Sequence, residues 1–276
     1  MLAKGIRSKA EALLPVGARR WLRNQQLRYR LQWPRRGMVN LANLRRLAPI
    51  SRIFGLDRGL PIDRYYIERF LAAHSQDIRG RVLEMGDNSY TWKFGGDRVI
   101  RSDVLHYVPG NPKATIVADL TCAHQVSSNI FDCIIFTQTL QFIYDVRAAL
   151  SHLYRILKPG GVLLATSTVI AKIARREGID PWGEYWRFTA QGAGRLFQEY
   201  FPKEKCAVEM RGNVQAAIAY LHGLAAEELR EEELDYLDPD YEIVITVRAV
   251  KPQTVHDGAL SSAADLAVDQ GWPSEL

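Results

Sequence analysis

The stretch that decides the fold runs from Phe131 to Thr166 and reads FDCIIFTQTLQFIYDVRAALSHLYRILKPGGVLLAT. Phe131–Phe136 is an apolar run of strand length. Asp145–Leu157 predicts a helix with Val146, Leu150, Leu153 and Leu157 on its buried side. Lys158-Pro159-Gly160-Gly161 stops that helix, because proline cannot continue it and glycine supplies a left-handed turn. Val162–Thr166 is apolar again and predicts the next strand. A short buried strand, a helix and another short buried strand are the unit of a parallel sheet covered on both faces.

The same alternation extends outward. Arg81–Met85 reads as a strand ending at Gly86, Arg98–Arg101 as one ending at Ser102-Asp103, and Thr115–Ala118 as one ending at Asp119. Upstream, Pro61-Ile62-Asp63 opens a helix with Asp63 as N-cap and Tyr66, Ile67, Phe70, Leu71 and His74 on one face. Downstream, a helix from Thr189 buries Leu196, Phe197 and Tyr200. A helix near Ala216–Leu229 and a strand over Tyr241–Val247 close the body. The fold class is therefore α/β, a doubly wound, Rossmann-like sheet.

The chain has 276 residues, 47% of them hydrophobic and 24% charged, which is ordinary for a globular protein and excludes wholesale disorder. Residues 1–60 carry a net charge of +12 and the rest −7, within a total of +5. The expected organisation is a basic, Arg-rich helical N-terminal extension over 1–60, a domain over 61–251 and a flexible tail over 252–276. The extension interleaves Trp21, Leu22, Leu31 and Trp33 with arginines, a composition suited to something anionic. One reading is peripheral contact with an anionic membrane; the other is a fold-back onto the acidic body or a contact between copies. Three cysteines give neither a disulfide framework nor zinc-ligand spacing, so no metal is expected and a reducing cytoplasm is the default. No uncharged apolar run approaches the roughly 20 residues that span a bilayer, and the N-terminus does not read as a signal peptide.

Polar residues gather at the strand ends, where open parallel sheets bind ligands: Glu84, Gly86, Asp87 and Asn88 after the first, Asp103 after the second, Asp119 and Leu120 after the third, Thr137 and Gln138 after the fourth. Gly86 permits the tight turn. Asp103 lies 17 residues beyond Gly86, near the offset at which an acid reaches a ribose diol. Asp119 is placed to accept from an adenine amino group. These acids also suit helix caps, but three at three successive strand ends favour a nucleotide-like ligand.

The block Phe131–Ile135, Thr137–Ile143 and Leu150–Leu164 resembles the fourth-to-fifth-strand region of class I S-adenosylmethionine-dependent methyltransferases. The resemblance spans roughly Pro61–Lys251. It implies S-adenosylmethionine as cofactor and a seven-stranded sheet ending in an antiparallel hairpin, which suits Cys206–Met210 and Tyr241–Val247. Within the class, Pro61–Tyr66, Trp182–Thr189 and Ala216–Gly223 resemble a bacterial subgroup often found beside glycosyltransferases. The chain departs from the class at its glycine motif: Glu84-Met-Gly86-Asp-Asn88-Ser-Tyr90 keeps only the first glycine. Asn88, a residue that tolerates positive φ, stands at the second.

Methyl transfer from a sulfonium needs an aligned nucleophile and, for a hydroxyl acceptor, a base within reach. The loop after the fifth strand is where such sheets bind acceptors. Trp182, Glu184, Tyr185, Trp186 and Arg187 there suit a sugar, or else form a packed aromatic corner with an ion pair. Glu184 is the candidate base, with His106 and His222 as further catalytic candidates. Arg64 and Tyr65, ahead of the first strand, are expected to reach the substrate. The reading is an O-methyltransferase acting on a small-molecule, glycan or lipid-linked acceptor. An RNA methyltransferase or nucleic-acid binder using the basic arm is the alternative, but no recognised RNA-binding module accompanies the arm. A non-catalytic relative is another. A nicotinamide-dependent reductase would need G-x-G-x-x-G and a Tyr-x-x-x-Lys pair, which the chain lacks.

Overall fold

The computed structural model describes residue 18 and residues 45–174 and 183–253. The expected arm up to residue 44, Trp182 and the tail beyond residue 253 lie outside the described residues. Residues from Pro49 onward form one compact unit.

Seven strands make one sheet: β1 (Gly80–Met85), β2 (Val99–His106), β3 (Ile116–Val117), β4 (Phe131–Thr137), β5 (Leu157–Thr168), β6 (Cys206–Arg211) and β7 (Val244–Val250). Their order is β3-β2-β1-β4-β5-β7-β6. β1 to β5 pair in parallel, and β7 runs antiparallel between β5 and β6. The order reverses between β1, which continues to β2, and β4 on its other side. That is the place where a doubly wound sheet opens a crevice at its carboxyl ends.

Five helices among the described residues cover the sheet: α1 (Ile62–Ala73), α2 (Val146–Ile156), α3 (Ala190–Gln198), α4 (Val214–His222) and α5 (Glu231–Asp235). β4 shows why both faces are apolar. Ile134 and Phe136 pack into one core with Leu150 and Leu153 of α2 and Phe197 of α3. Cys133 and Ile135, pointing the other way, join Ile67 and Phe70 of α1 and Tyr220 of α4 in the second. Asp145 caps α2 by accepting from the Ala148 N–H (3.0 Å), and Thr189 caps α3 by accepting from Gly192 (3.1 Å).

The last strand starts and ends three residues later than expected, at Val244–Val250, and four other boundaries differ for a visible reason. β2 continues past Asp103 to His106, because Val104 and Leu105 are buried and Asp103 is neutralised inside the strand. Pro61, not Asp63, caps α1, and Asp63 is buried in its first turn. Lys158-Pro159-Gly160-Gly161 is not a connection but the irregular start of β5, with Gly160 at φ +77° and a register shift opposite Phe131–Cys133. α4 ends early at Gly223, φ +69°, and with α5 it separates β6 from β7, so this antiparallel pair is not a tight hairpin.

The last part of the expected extension belongs to the body. Ile50 and Ser51 donate backbone hydrogen bonds to the His222 carbonyl (2.8 and 3.0 Å), and Arg58 pairs with Glu228. No helix among the described residues is long and apolar enough to cross a membrane.

Candidate functional site

A cavity of about 1150 Å³ opens at the carboxyl ends of β1, β2, β3 and β4, bounded by α1 and by the segments around Tyr144 and Tyr185. Its floor begins at the glycine turn. Gly86 sits at φ +79°, donates to the Leu105 carbonyl (3.0 Å) and accepts from Asn111 Nδ2 (2.6 Å). A side chain built on Gly86 would meet nothing within 4 Å, so the backbone itself faces open space. Positive φ favours glycine there, and the bare backbone lets a ligand approach closely.

Two carboxylates shape the following loop. Glu84 accepts from the backbone of Tyr90 (3.2 Å) and Thr91 (2.7 Å) and from Thr91 Oγ1 (2.7 Å). Burial pushes its pKa up to about 7 against those hydrogen bonds. Asp87 accepts from the Ser89 N–H and hydroxyl (2.9 and 2.8 Å); burial opposes its charge, but the Ser89 bonds hold it below the usual carboxylate range. Asn88 does not adopt the left-handed conformation expected of it and does not line the cavity. Its amide instead donates to Ser102 Oγ (3.1 Å).

The next strand ends supply one polar group each. His106 closes β2 and lines the cavity, and its Nδ1 bonds the Val108 carbonyl (2.7 Å). Asp119, after β3, uses Oδ1 to accept from the Thr121 N–H and hydroxyl (both 2.8 Å). Gln138, after β4, stands at φ +48°, a strained conformation for a residue with a side chain. Its Oε1 accepts from Thr168 Oγ1 (2.5 Å) and Gln141 Nε2 (3.0 Å), while its own Nε2 is buried without a partner among the described residues. An unmatched buried donor at a cavity wall is a place for a ligand acceptor.

The upper wall is aromatic. Arg64 of α1 reaches Tyr90 OH (3.1 Å). Tyr144 is 70% exposed, stacks on Trp186 at 5.9 Å and meets Tyr185 edge-on at 5.4 Å. Trp186 does not line the cavity itself but backs this wall, its Nε1 held by the Ile143 and Tyr144 carbonyls (3.0 and 3.2 Å).

Of the residues expected at the site, the cavity gathers Glu84, Gly86, Asp87, His106, Asp119, Leu120, Thr137, Gln138, Arg64 and Tyr185. Asp103 is not among them. It is 1% exposed inside β2 and receives Arg81 Nε (2.7 Å), Arg101 (3.1 Å) and Thr115 Oγ1 (3.1 Å). Burial opposes its charge, but the hydrogen bonds from Arg81, Arg101 and Thr115 outweigh it and lower the pKa. Glu184 also stays outside the lining. Its side chain is 2% exposed and is spent on Arg187 and the Ala174 N–H (2.5 Å). That pair uses Arg187, which does not line the cavity, and the Tyr65 hydroxyl goes to Asp235 (2.8 Å), neither of them a lining residue. His222 lies at the end of α4, also away from the cavity.

The sequence reading missed Tyr90, Tyr144 and Asp145, which line the cavity. In the sequence Asp145 reads only as the start of a helix. Such a start, coming right after the fourth strand end, was the available signal. Among the described residues no cluster of His, Cys, Asp and Glu is arranged to hold a metal.

Residues 106–165 match the family model described as a methyltransferase domain. The match starts at the end of β2 and closes within β5, and it supports S-adenosylmethionine as the cofactor. Two curated relatives, the ubiquinone/menaquinone biosynthesis C-methyltransferase UbiE from two strains of Klebsiella pneumoniae, are 34% identical over 88 residues. That segment is 31% of this chain, and the chain spans about a third (32%) of the length of those relatives. Among solved structures, the [4+2]-cyclase SpnF aligns at a TM-score of 0.48 and 16% identity, covering 75% of this chain and 90% of its own. A SAM-dependent methyltransferase from Archaeoglobus fulgidus aligns at 0.46 and 11%, covering 68% and 94%. Phosphoethanolamine N-methyltransferase 2 of Haemonchus contortus, in complex with S-adenosylmethionine, aligns at 0.43 and 15%, covering 79% and 61%. Likeness at these scores says nothing of substrate.

Proposed function

We propose that this chain is an S-adenosylmethionine-dependent methyltransferase that methylates an oxygen of a sugar, glycan or lipid-linked acceptor. The observation that carries the reading is one cavity at the switch point of the sheet, where the bare Gly86 backbone meets Asp119 and the buried Gln138 Nε2, the last two inside the segment that matches the methyltransferase-domain model. These groups fit the cofactor: Gly86 permits close approach, Asp119 keeps one carboxylate oxygen for an amino donor, and Gln138 offers an N–H to a carboxylate or hydroxyl. When bound, the cofactor supplies an electrophilic methyl group on a sulfonium.

The chain's part is alignment and exclusion of water. The rings of Tyr144 and Tyr185 offer flat apolar faces to the C–H surface of a sugar. Proton removal from a hydroxyl falls to Asp145, which lines the cavity and commits Oδ1 to the α2 cap, rather than to Glu184, which is tied to Arg187. A second reading, transfer to carbon of an aromatic ring, draws support from the C-methyltransferase relatives and from the same aromatic wall.

Methyl-labelled cofactor offered with nucleotide sugars, polyprenyl-linked sugars and hydroquinones, followed by mass spectrometry, separates these readings. Label in an alkali-stable methyl ether of a sugar is the expected result. Label on a ring carbon of a hydroquinone replaces it with the second reading. No transfer to any acceptor by a protein that binds the cofactor makes the chain a non-catalytic relative.

A further inference from the structure

Resting on the cofactor reading above, we infer that His106, not a carboxylate, recognises the ribose hydroxyls of the cofactor. The end of the second strand is where a nucleotide-binding sheet places the acid that accepts from a ribose diol. In this chain the register leaves that place to an imidazole. Met85 pairs with Leu105, and the Gly86 N–H donates to the Leu105 carbonyl (3.0 Å), so the glycine turn and His106 emerge side by side at the cavity. Asp103, the acid at the expected spacing, sits three residues back, opposite Leu83. It is sealed inside β2 and saturated by Arg81, Arg101 and Thr115.

The imidazole is set up for the task. Its Nδ1 faces the Val108 carbonyl at 2.7 Å, and a carbonyl only accepts, so Nδ1 carries the proton. Nε2 is then left with a lone pair, the acceptor a ribose hydroxyl needs. Fixing one nitrogen on the backbone also fixes the tautomer. The Val108 loop is itself anchored to the glycine turn through Asn111 Nδ2 and the Gly86 carbonyl (2.6 Å), so the ring and the turn are held as one unit.

The test is calorimetry of the full chain with S-adenosylhomocysteine and with its 2′-deoxy and 3′-deoxy analogues, on wild type, His106→Ala, His106→Asp and Asp103→Asn. Wild type is expected to bind the parent compound about tenfold more tightly than at least one deoxy analogue, the scale of one lost hydrogen bond. His106→Ala is expected to lose that discrimination, His106→Asp to keep it, and Asp103→Asn to leave it unchanged. A purely structural role for His106 would weaken all three compounds alike and keep the ratio. Retained discrimination in His106→Ala, or its loss in Asp103→Asn, overturns the inference. If His106→Ala does not fold, His106→Gly with added imidazole carries the same comparison, and restored discrimination on rescue supports the assignment while unrescued discrimination in the bare variant overturns it. Failure of wild type to bind S-adenosylhomocysteine at all overturns the cofactor reading itself, a result separate from any ratio.

Discussion

The floor and the rim of the cavity are built on different principles. The floor consists of strand ends, and hydrogen-bonded register fixes each residue's position: Gly86 after β1, His106 closing β2, Asp119 after β3 and Gln138 after β4. The rim consists of irregular segments, where Tyr144, Tyr185 and Trp186 are held by one another and by carbonyls such as that of Ile143. A strand end keeps its place if one side chain is lost. A rim ring is only as fixed as its neighbours. Carboxylates follow the same division of labour in both regions: Glu84, Asp103 and Glu184, with buried side chains, fasten backbone or arginines, while Asp119 and Asp145 each commit one oxygen to local backbone and keep the other for the cavity.

The largest expected effect concerns the floor. The Glu84 carboxyl titrates near 7 when folded and near 4.5 when exposed. Between those values the folded chain holds the extra proton, so this group makes stability fall as pH rises. Its full contribution is present below about pH 4.5 and is lost above about pH 7, a change of about 3 kcal/mol. Glu84→Gln should flatten urea-denaturation stability across that window; a slope unchanged from wild type would mean the floor does not depend on a protonated Glu84.

Next comes Asp103→Ala, with an expected loss of about 2 kcal/mol of stability. Its arginine partners reach solvent, which tempers the penalty. Affinity for S-adenosylhomocysteine should stay within twofold. A large drop in affinity at unchanged melting temperature would make Asp103 a ligand rather than a fastening.

Moving to the rim, Glu184→Ala should cost about 1–2 kcal/mol, because the Ala174 N–H and Arg187 lose their acceptor. Glu184→Gln, which keeps an acceptor, should cost less and leave turnover within a few-fold. A hundredfold loss of turnover with an intact fold would restore Glu184 as the base.

The same division explains what could be read from the chain. The repeat of apolar strands and helices and the glycine turn follow from period and punctuation, and Glu84, Gly86, Asp119 and Gln138, picked out at strand ends on that basis, line the cavity. Asp103 went astray because Ser102-Asp103 looks like the end of a strand. Only the partnership of Arg81 and Arg101, one on the adjacent strand, lets an acid lie inside β2 and carries the strand on to His106. Glu184 and Arg187 have the spacing of an i,i+3 ion pair, but spacing does not say whether a pair is exposed or 98% buried at the acid; that depends on the Lys172–Ala174 backbone folding over it. Tyr144 carried no signal of its own, since its exposure to the cavity depends on the tertiary placing of Tyr185 and Trp186.

The smallest expected effect on stability is the most informative about the rim. Tyr144 is mostly exposed, and among the described residues its side chain stacks on Trp186 and meets Tyr185 edge-on. Aromatic pairs of this kind contribute about 0.5–1.5 kcal/mol, and solvent at Tyr144 puts the expected loss for Tyr144→Ala near the lower figure. If the rim orders the acceptor, the cost must appear elsewhere: KM for the acceptor should rise several-fold while kcat and affinity for S-adenosylhomocysteine hold, because a stacking surface binds ground state and transition state alike. Tyr144→Phe, which keeps the face and removes the hydroxyl, should restore the wild-type KM. A fall in kcat shared by both variants would instead give the hydroxyl a part in the chemistry, and the rim would then belong with the floor as a set of fixed functional groups.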